Sequence, residues 1–195
     1  EKRWDVISVY IKLFNFHIGA ELGVADAVNY TNLMRINPLL RLYGIDSYEV
    51  EGNELERYEG GLYAEGQENR KINAEKLQSK YPDRSRMIFK RTDEAHKDIP
   101  DGHLDFVFID ADHSYEQCLK DFLNVKDKVV KNGFVILHDT YPYSKKFMEE
   151  KVRGDCYKVP TYIRENLHSE WELVTLPFNP GLTIAKKSPG SDIWY

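Results

Sequence analysis

Two short clusters of acids and imidazoles could carry chemistry in this chain. Asp110, Asp112 and His113 close one apolar run, and His138 and Asp139 close another. Three carboxylates and two imidazoles on one rim are unfavourable unless a cation or protons compensate them. A divalent metal held by Asp110 and Asp139 would supply that compensation. In the plainer alternative, His138 and Asp139 cap the next segment while Asp112 and His113 face water. A site of oxygen donors favours Mg²⁺, whereas direct ligation by His138 favours Mn²⁺, Fe²⁺ or Zn²⁺. His113, with an ordinary pKa of about 6.5, is also a candidate general base. The sequence shows no serine nucleophile elbow, no P-loop and no Cys-His pairing motif.

The elements that must position these groups can be read around them. Leu104 to Ile109 is short, apolar and rich in aromatic and β-branched residues, as suits a strand buried on both faces. Ser114 then opens a helix with Gln117 as its capping-box partner. Cys118, Phe122, Val125 and Val129 follow at spacings of three and four, so the helix is expected to run to Val130 and end at Lys131-Asn132-Gly133. A fifth strand, Phe134 to Leu137, then delivers His138 and Asp139. Ligands of open parallel sheets bind at the carboxyl ends of strands, where both clusters fall.

The upstream segments supply the rest of such a sheet. Trp4, Ile7, Ile11 and Phe14 stand at helical spacing, predicting an amphipathic helix over 1–16, packed on the core or, less simply, acting as a lid or subunit contact. His17 to Val24 reads as a strand with Glu21 near its end and a tight turn at Gly23. A helix over Asp26 to Ile36 stops at Asn37-Pro38, and a second strand, Leu39 to Ile45, ends at Asp46. Strand, glycine turn, helix and strand ending in an acid form a βαβ unit able to hold a nucleoside. A carboxylate there can accept from both ribose hydroxyls, or Asp46 can simply cap the turn before Ser47-Tyr48. With a single glycine in the turn, a pyrophosphate is disfavoured and a nucleoside without phosphates fits better. Residues 49–66 read as an acidic surface loop or lid. A helix over about 69–80 and a third strand, Arg86 to Lys90, lead to Thr92 and Asp93, which can cap the next helix or receive an exocyclic amine.

After 140 the pattern loosens. Pro160 to His168 is expected to be helical. Trp171 to Val174 and Gly181 to Ala185 are expected to form an antiparallel hairpin at the sheet edge. The whole is an α/β chain with one doubly wound, mostly parallel sheet and an antiparallel C-terminal hairpin, in a single domain over 1–195. Its expected parts are a core over 17–140, an acceptor-side segment with the hairpin over 141–187, and a tail over 188–195.

With 195 residues, 42% hydrophobic and 30% charged, the chain has the composition of a soluble globular domain without a membrane-length apolar run. A net charge of −5 argues against a partner recognised through phosphate backbones. Cys118 and Cys156 are isolated and expected to be reduced thiols of a cytoplasmic protein.

The segments Ala20 to Val24, Tyr43 to Tyr48, Leu104 to Tyr115 and Gly133 to Asp139 resemble, in order and spacing, the class I S-adenosylmethionine-dependent methyltransferases, closest to the macrocin-type sugar O-methyltransferases. The resemblance covers about 17–140 and implies a Rossmann-like methyltransferase fold. It assigns Glu21 and Gly23 to the turn against the methionine part of the cofactor, Asp46 to the ribose, and Thr92 and Asp93 to the adenine. Asp110 would lie beside both cofactor and metal, with His138 and Asp139 as further metal positions and His113 as the catalytic base. The implied activity is methyl transfer from S-adenosylmethionine to a hydroxylated small molecule such as a sugar, assisted by Mg²⁺ or Mn²⁺, in a chain that could form a homo-oligomer. Ala27 departs from the pattern where a further glycine is usual, and His138 where a carboxylate-type ligand is usual. Two rivals stand beside this expectation: a metal-dependent hydrolase built on Asp110, Asp112, His113, His138 and Asp139, and a catalytically silent binding domain.

Overall fold

The computed structural model describes residues 2–49, 62–142, 154–178 and 180–188. Seven strands among these belong to a mostly parallel sheet with an antiparallel pair at the C-terminus, flanked by helices, which is the expected α/β class. The chain divides into two compact units, Glu1–Ala95 and His96–Tyr195.

The first unit runs α1 (Arg3–Leu13), β1 (Ile18–Leu22), α2 (Val28–Ile36), β2 (Arg41–Ile45), α3 (Leu62–Lys80), β3 (Ser85–Ile88) and α4 (Thr92–Ala95). Its strands stand in the order β3-β2-β1 and are parallel, with Leu22 opposite Ile45 and Ile45 opposite Ile88. This register brings the carboxyl ends of all three strands level. Tyr30 of α2 locks the sheet from one face, its buried hydroxyl donating to the Leu42 carbonyl and meeting the Ser85 hydroxyl at 2.9 Å. At the far end of α2, Arg84 donates to the carbonyls of Met34, Asn37 and Leu40, gathering the last turn of the helix and the segment that leads into β2. Ile7 and Ile11 of α1 are buried as their spacing predicts, but Phe14 lies past the helix end, 42% exposed and stacked on Tyr10. Helix α3 begins at Leu62, earlier than the sequence suggests, because Gly66 is tolerated inside a helix despite its cost of about 1 kcal/mol. The part of the acidic 49–66 stretch from 50 to 61 lies outside the described residues.

The second unit runs through a 3₁₀ turn (His96–Asp98), β4 (Leu104–Ile109), α5 (Tyr115–Val125), β5 (Val129–His138), a second 3₁₀ turn (Cys156–Lys158), α6 (Val159–Asn166), β6 (Trp171–Leu176) and β7 (Leu182–Lys187). Its strand order is β4-β5-β7-β6, with β4 and β5 parallel and β7 antiparallel to both of its neighbours. The expected hairpin therefore exists and β6 forms the outer edge. Phe122 and Trp171, both buried, meet edge-to-face with ring centroids 5.1 Å apart and close the core under the hairpin.

One boundary differs from the sequence reading. Helix α5 stops at Val125, and Val129 belongs to β5, opposite Leu104. The Asn132-Gly133 signal marks a bulge instead of a helix end. Two steps along β4, from 104 to 106, face five along β5, from 129 to 134. Asn132 takes a left-handed φ of 64° to absorb the excess, and Gly133 lets the backbones close. A Cβ on Gly133 would lie 2.6 Å from the Asp105 carbonyl oxygen and 2.6 Å from Val129 Cγ1. Gly133→Ala is therefore expected to destabilise the protein by about 1–3 kcal/mol in urea unfolding. An unchanged midpoint would show that the bulge has room to open.

Candidate functional site

In the first unit the candidate residues gather at the level ends of β1, β2 and β3. The Gly23 N–H donates to the Ile45 carbonyl at 2.9 Å, so the turn after β1 is tied to the end of β2. Gly23 has φ of 83°, a conformation that costs a side-chain-bearing residue and that glycine takes freely. The next turn is less comfortable. Ala25 and Ala27 hold φ of 46° and 56°, and Ala27 is the residue that opens α2. The position where the resemblance calls for glycine is thus one where the backbone itself favours glycine.

Asp46 does two things at once. Its Oδ2 accepts from the Ala25 N–H at 2.9 Å and its Oδ1 from the Tyr48 N–H at 2.8 Å. The capping alternative read from the sequence is therefore real. It does not exhaust the carboxylate, since each oxygen has about two acceptor directions. Glu21, 1% exposed, accepts from Asn29 Nδ2 at 3.0 Å, while Asn29 Oδ1 is buried with no donor among the described residues. Asn29 carries no sequence motif and was not anticipated. Thr92 and Asp93 lie half-buried in the four-residue α4 just after β3, inside that helix and not before it.

In the second unit the register Ile109↔Leu137 sets the ends of β4 and β5 side by side. Asp110 follows β4, His138 ends β5, and Asp139 follows with φ of 55°. His138 Nδ1 lies 2.9 Å from Asp110 Oδ1 and 3.5 Å from Asp139 Oδ1. Neither oxygen lies squarely along the ring N–H, so these contacts act more as ion pairing than as aligned hydrogen bonds. His113 Nδ1 meets Asp139 Oδ2 at 2.7 Å. Asp112 is drawn elsewhere, its Oδ1 accepting from the Ser114 N–H, and Ser114 in turn caps α5 by accepting from the Gln117 N–H at 3.3 Å. The Gln117 side chain donates to the buried Asp121 at 2.8 Å.

The electrostatics follow from this pairing. Burial alone would lower the pKa of His113, but its hydrogen bonds to Asp139 and Cys156 outweigh burial and raise it to about 10. For His138, burial again lowers the value, and the Asp110 and Asp139 contacts raise it to about 9. Burial pushes Asp139 up, yet its two histidine partners hold it well below the usual carboxylate range. Protons thus supply the compensation that the sequence demanded of this rim. The same groups could hand that role to a cation: one donor atom each from Asp110, His113 and Asp139 lie within 4.8 Å of one another. His138 stands against Asp110 at the flank of that group.

The neighbour that sequence reasoning missed is Cys156. Its N–H donates to the His113 carbonyl at 2.9 Å, and its thiol lies against the ring of His113, the thiol of Cys118 and the backbone oxygen of Asp139, the last at 3.4 Å. Nothing in the linear spacing of residues 113, 118 and 156 announces this. Tyr141 is 47% exposed, and Tyr143 lies outside the described residues. Among the described residues no helix is long and apolar enough to cross a membrane.

A family model described as a methyltransferase domain matches residues 17–140. No curated protein matches the sequence. Solved structures share the fold at low identity. One is a candidate caffeoyl-CoA O-methyltransferase of Staphylococcus aureus, with TM-score 0.66, 17% identity, and coverage of 96% of this chain and 85% of that one. A second is an SAH-bound methyltransferase of Podospora anserina, with TM-score 0.66, 13% identity, and coverage of 96% and 80%. A third is a methyltransferase of Geobacter sulfurreducens, with TM-score 0.60, 9% identity, and coverage of 96% and 79%.

Two outcomes are expected from this geometry. Ala27→Gly relieves a left-handed backbone and should stabilise the protein by roughly 0.5–1 kcal/mol, read as a raised urea midpoint. A lowered midpoint would mean that the loss of chain stiffness outweighs the relief. The second concerns pH. His113 and His138 bind their protons more tightly when folded, at about 10 and 9, than in an unfolded chain, near 6.5. Their contribution to stability is full below about 6.5 and is lost as pH rises through the folded values. Asp139 acts at the other end, its contribution present above about 4 and lost as pH falls. Chelator-treated protein should therefore lose more stability between about pH 6.5 and 10 than a His113→Gln, His138→Gln variant does. Parallel profiles would mean that both rings are neutral in the fold.

Proposed function

Because the chain belongs to the methyltransferase-domain family, we propose that it is an S-adenosylmethionine-dependent O-methyltransferase acting on a hydroxylated small molecule such as a sugar or glycoside. The observation that carries the cofactor half is the tie between the Gly23 turn and Asp46. Bare backbone at Gly23 and a carboxylate with acceptor directions to spare are what a nucleoside without phosphates requires. The residues fit the group in a second respect. Asn29 Oδ1, buried beside Glu21 without a donor among the described residues, is an acceptor that an ammonium such as that of the methionine moiety would satisfy. In this reading Asp46 holds the ribose, Glu21 and Gly23 flank the methionine end, and Thr92 and Asp93 lie near the adenine.

Methyl transfer from a sulfonium is a displacement in which the protein mainly positions the acceptor oxygen and manages its proton. The second unit has the groups for both tasks. Asp110 and Asp139 would hold a divalent cation, Mg²⁺ if oxygen donors dominate and Mn²⁺ if the His138 imidazole joins. Such a cation would lower the pKa of a bound hydroxyl. His113 is the base in this scheme, oriented by Asp139 through Nδ1. While Asp139 holds an uncompensated charge, His113 keeps its proton. A cation held at Asp139 would weaken that hold, and His113 would then be the group placed to accept the proton of the acceptor hydroxyl. The acidic balance of the chain supports a small-molecule partner over nucleic acid, and we place the enzyme in the cytoplasm, with self-association left to measurement.

Calorimetric titration of S-adenosylmethionine and its demethylated product into chelator-treated protein tests the cofactor half. Micromolar binding is expected, weakened roughly 10- to 100-fold by Asp46→Ala through loss of charge-assisted hydrogen bonds. Repeating the titration with Mg²⁺ and Mn²⁺ tests the rest: Asp110→Asn and Asp139→Asn should each abolish the metal isotherm, and Asp139→Asn should leave nucleoside binding within a few-fold. Metal binding without any nucleoside response would replace the methyltransferase reading with that of a hydrolase.

A further inference from the structure

The two cysteines, isolated in sequence, meet in the second unit. Cys118 lies one turn into α5 and Cys156 opens the 3₁₀ turn Cys156–Lys158. Both are free and buried, at 3% and 2% exposure, and α5 packs against the turn that carries Cys156, which makes the two thiols neighbours. The backbone holds them in place from two sides. Asp155 Oδ1 accepts from the Tyr115 N–H at 2.7 Å, pinning the turn to the first residue of α5. The Cys156 N–H donates to the His113 carbonyl at 2.9 Å, pinning it to the segment just before the helix. Gly154 completes the fit, since a Cβ there would run into the His113 backbone. This backbone contact is closer than an ordinary core needs. It fixes the Cys156 sulfur among the Cys118 thiol, the His113 ring and the carbonyl oxygens of Asp139 and His138, at 3.4 and 3.7 Å.

We propose that Cys118 and Cys156 are a redox modification site, oxidised by a peroxide to an internal disulfide that withdraws the Cys156 sulfur from His113. Two buried sulfurs that already neighbour each other can join once side-chain rotation brings them to roughly 2 Å. The chemistry balances with hydrogen peroxide as the oxidant. The Cys156 sulfur attacks one peroxide oxygen; an S–O bond forms, the O–O bond breaks, and the departing oxygen leaves as water with the thiol proton. Cys118 then attacks the resulting sulfenic sulfur; the S–S bond forms, the S–O bond breaks, and a second water leaves with the Cys118 proton. Both sulfurs are oxidised and both peroxide oxygens reduced. In the disulfide Cys156 has no proton to donate and its sulfur has turned towards α5, so His113 keeps Asp139 but loses its sulfur neighbour. The consequence for methyl transfer rests on the role given to His113 above; the modification itself does not.

The full chain, treated with chelator, is exposed to hydrogen peroxide, unfolded, alkylated and mapped by mass spectrometry without reductant. A peptide joining Cys118 to Cys156, reversed by dithiothreitol and absent from Cys118→Ser and Cys156→Ser, is expected. It should form slowly, because both sulfurs are shielded from solvent. Recovery of both thiols in the alkylated form, separate oxidation of each to sulfinic or sulfonic acid, or cross-links between chains would overturn the proposal. The His113 ring resonances supply a readout independent of turnover. They should move on oxidation of the wild type, return on treatment with dithiothreitol, and stay in place in Cys156→Ser under the same treatment. A disulfide that leaves them unmoved would overturn the link to His113. Failure of S-adenosylmethionine to bind the reduced protein would instead count against the methyltransferase reading and leave the thiol chemistry standing.

Discussion

The second unit depends on how two carboxylates at the ends of buried strands are compensated. Asp110 and Asp139 sit where β4 and β5 finish, with side chains 11% and 14% exposed. Charges so withdrawn from water cost several kcal/mol each unless paired. The chain pairs them with two imidazoles in a crossed arrangement: His138, from the strand that leads to Asp139, reaches Asp110, and His113, from the loop after Asp110, reaches Asp139. Each histidine thus neutralises the acid of the neighbouring strand end, which ties the two loops together as well as balancing charge. The backbone bends to allow it, with Asp139 held in the left-handed region at φ of 55°. Strain of this kind costs on the order of 1 kcal/mol and persists where the surroundings over-determine the position.

The first unit concentrates its own strain in the same kind of place. Gly23, Ala25, Ala27 and Tyr48 all have positive φ, and all lie in the turns after β1 and β2. Asp46 is the common anchor, taking the N–H of Ala25 on one oxygen and that of Tyr48 on the other. Under the proposed function its structural and ligand roles reinforce each other. A carboxylate fixed by two backbone donors loses little further freedom on meeting a diol, which is the physical sense of preorganisation.

Much of this was legible in the sequence because it depends on short-range pattern. Leu104 to Ile109 and Phe134 to His138 are apolar runs that end in polar clusters, and a strand buried on both faces leaves few other readings. Glu21, Gly23 and Asp46 were legible for the same reason, since turn chemistry is local. The boundary between α5 and β5 was not. Val129 continues the helical spacing of Cys118, Phe122 and Val125, and Asn132-Gly133 serves equally as a helix stop or a bulge. Pairing with Leu104 and Phe106 decides between them, and that is a long-range fact. The crossed His–Asp pairing was half legible: the sequence required compensation on the rim but could not say whether protons or a metal provide it. Asn29 and Cys156 were not legible at all, since each matters only through a neighbour distant in the chain, Glu21 for the first and His113 and Cys118 for the second.

The geometry also weighs the three functional readings against one another. The acid-imidazole rim alone would serve a metal-dependent hydrolase as well as a methyltransferase. A hydrolase, however, has no use for the arrangement in the first unit, where a bare glycine turn is hydrogen-bonded to the strand end that carries a doubly anchored carboxylate. The silent-domain reading is weighed on different grounds. Buried ion pairs are poor stabilisers, and well-packed apolar residues in their place are often neutral or better. Beyond tying two loops together, four titratable groups and a left-handed aspartate at the ends of β4 and β5 add little to a fold with no chemistry to perform, which counts against that reading. Their retention in a sheet otherwise built from Phe106, Phe108, Phe134 and Ile136 is most simply understood as the cost of a working site.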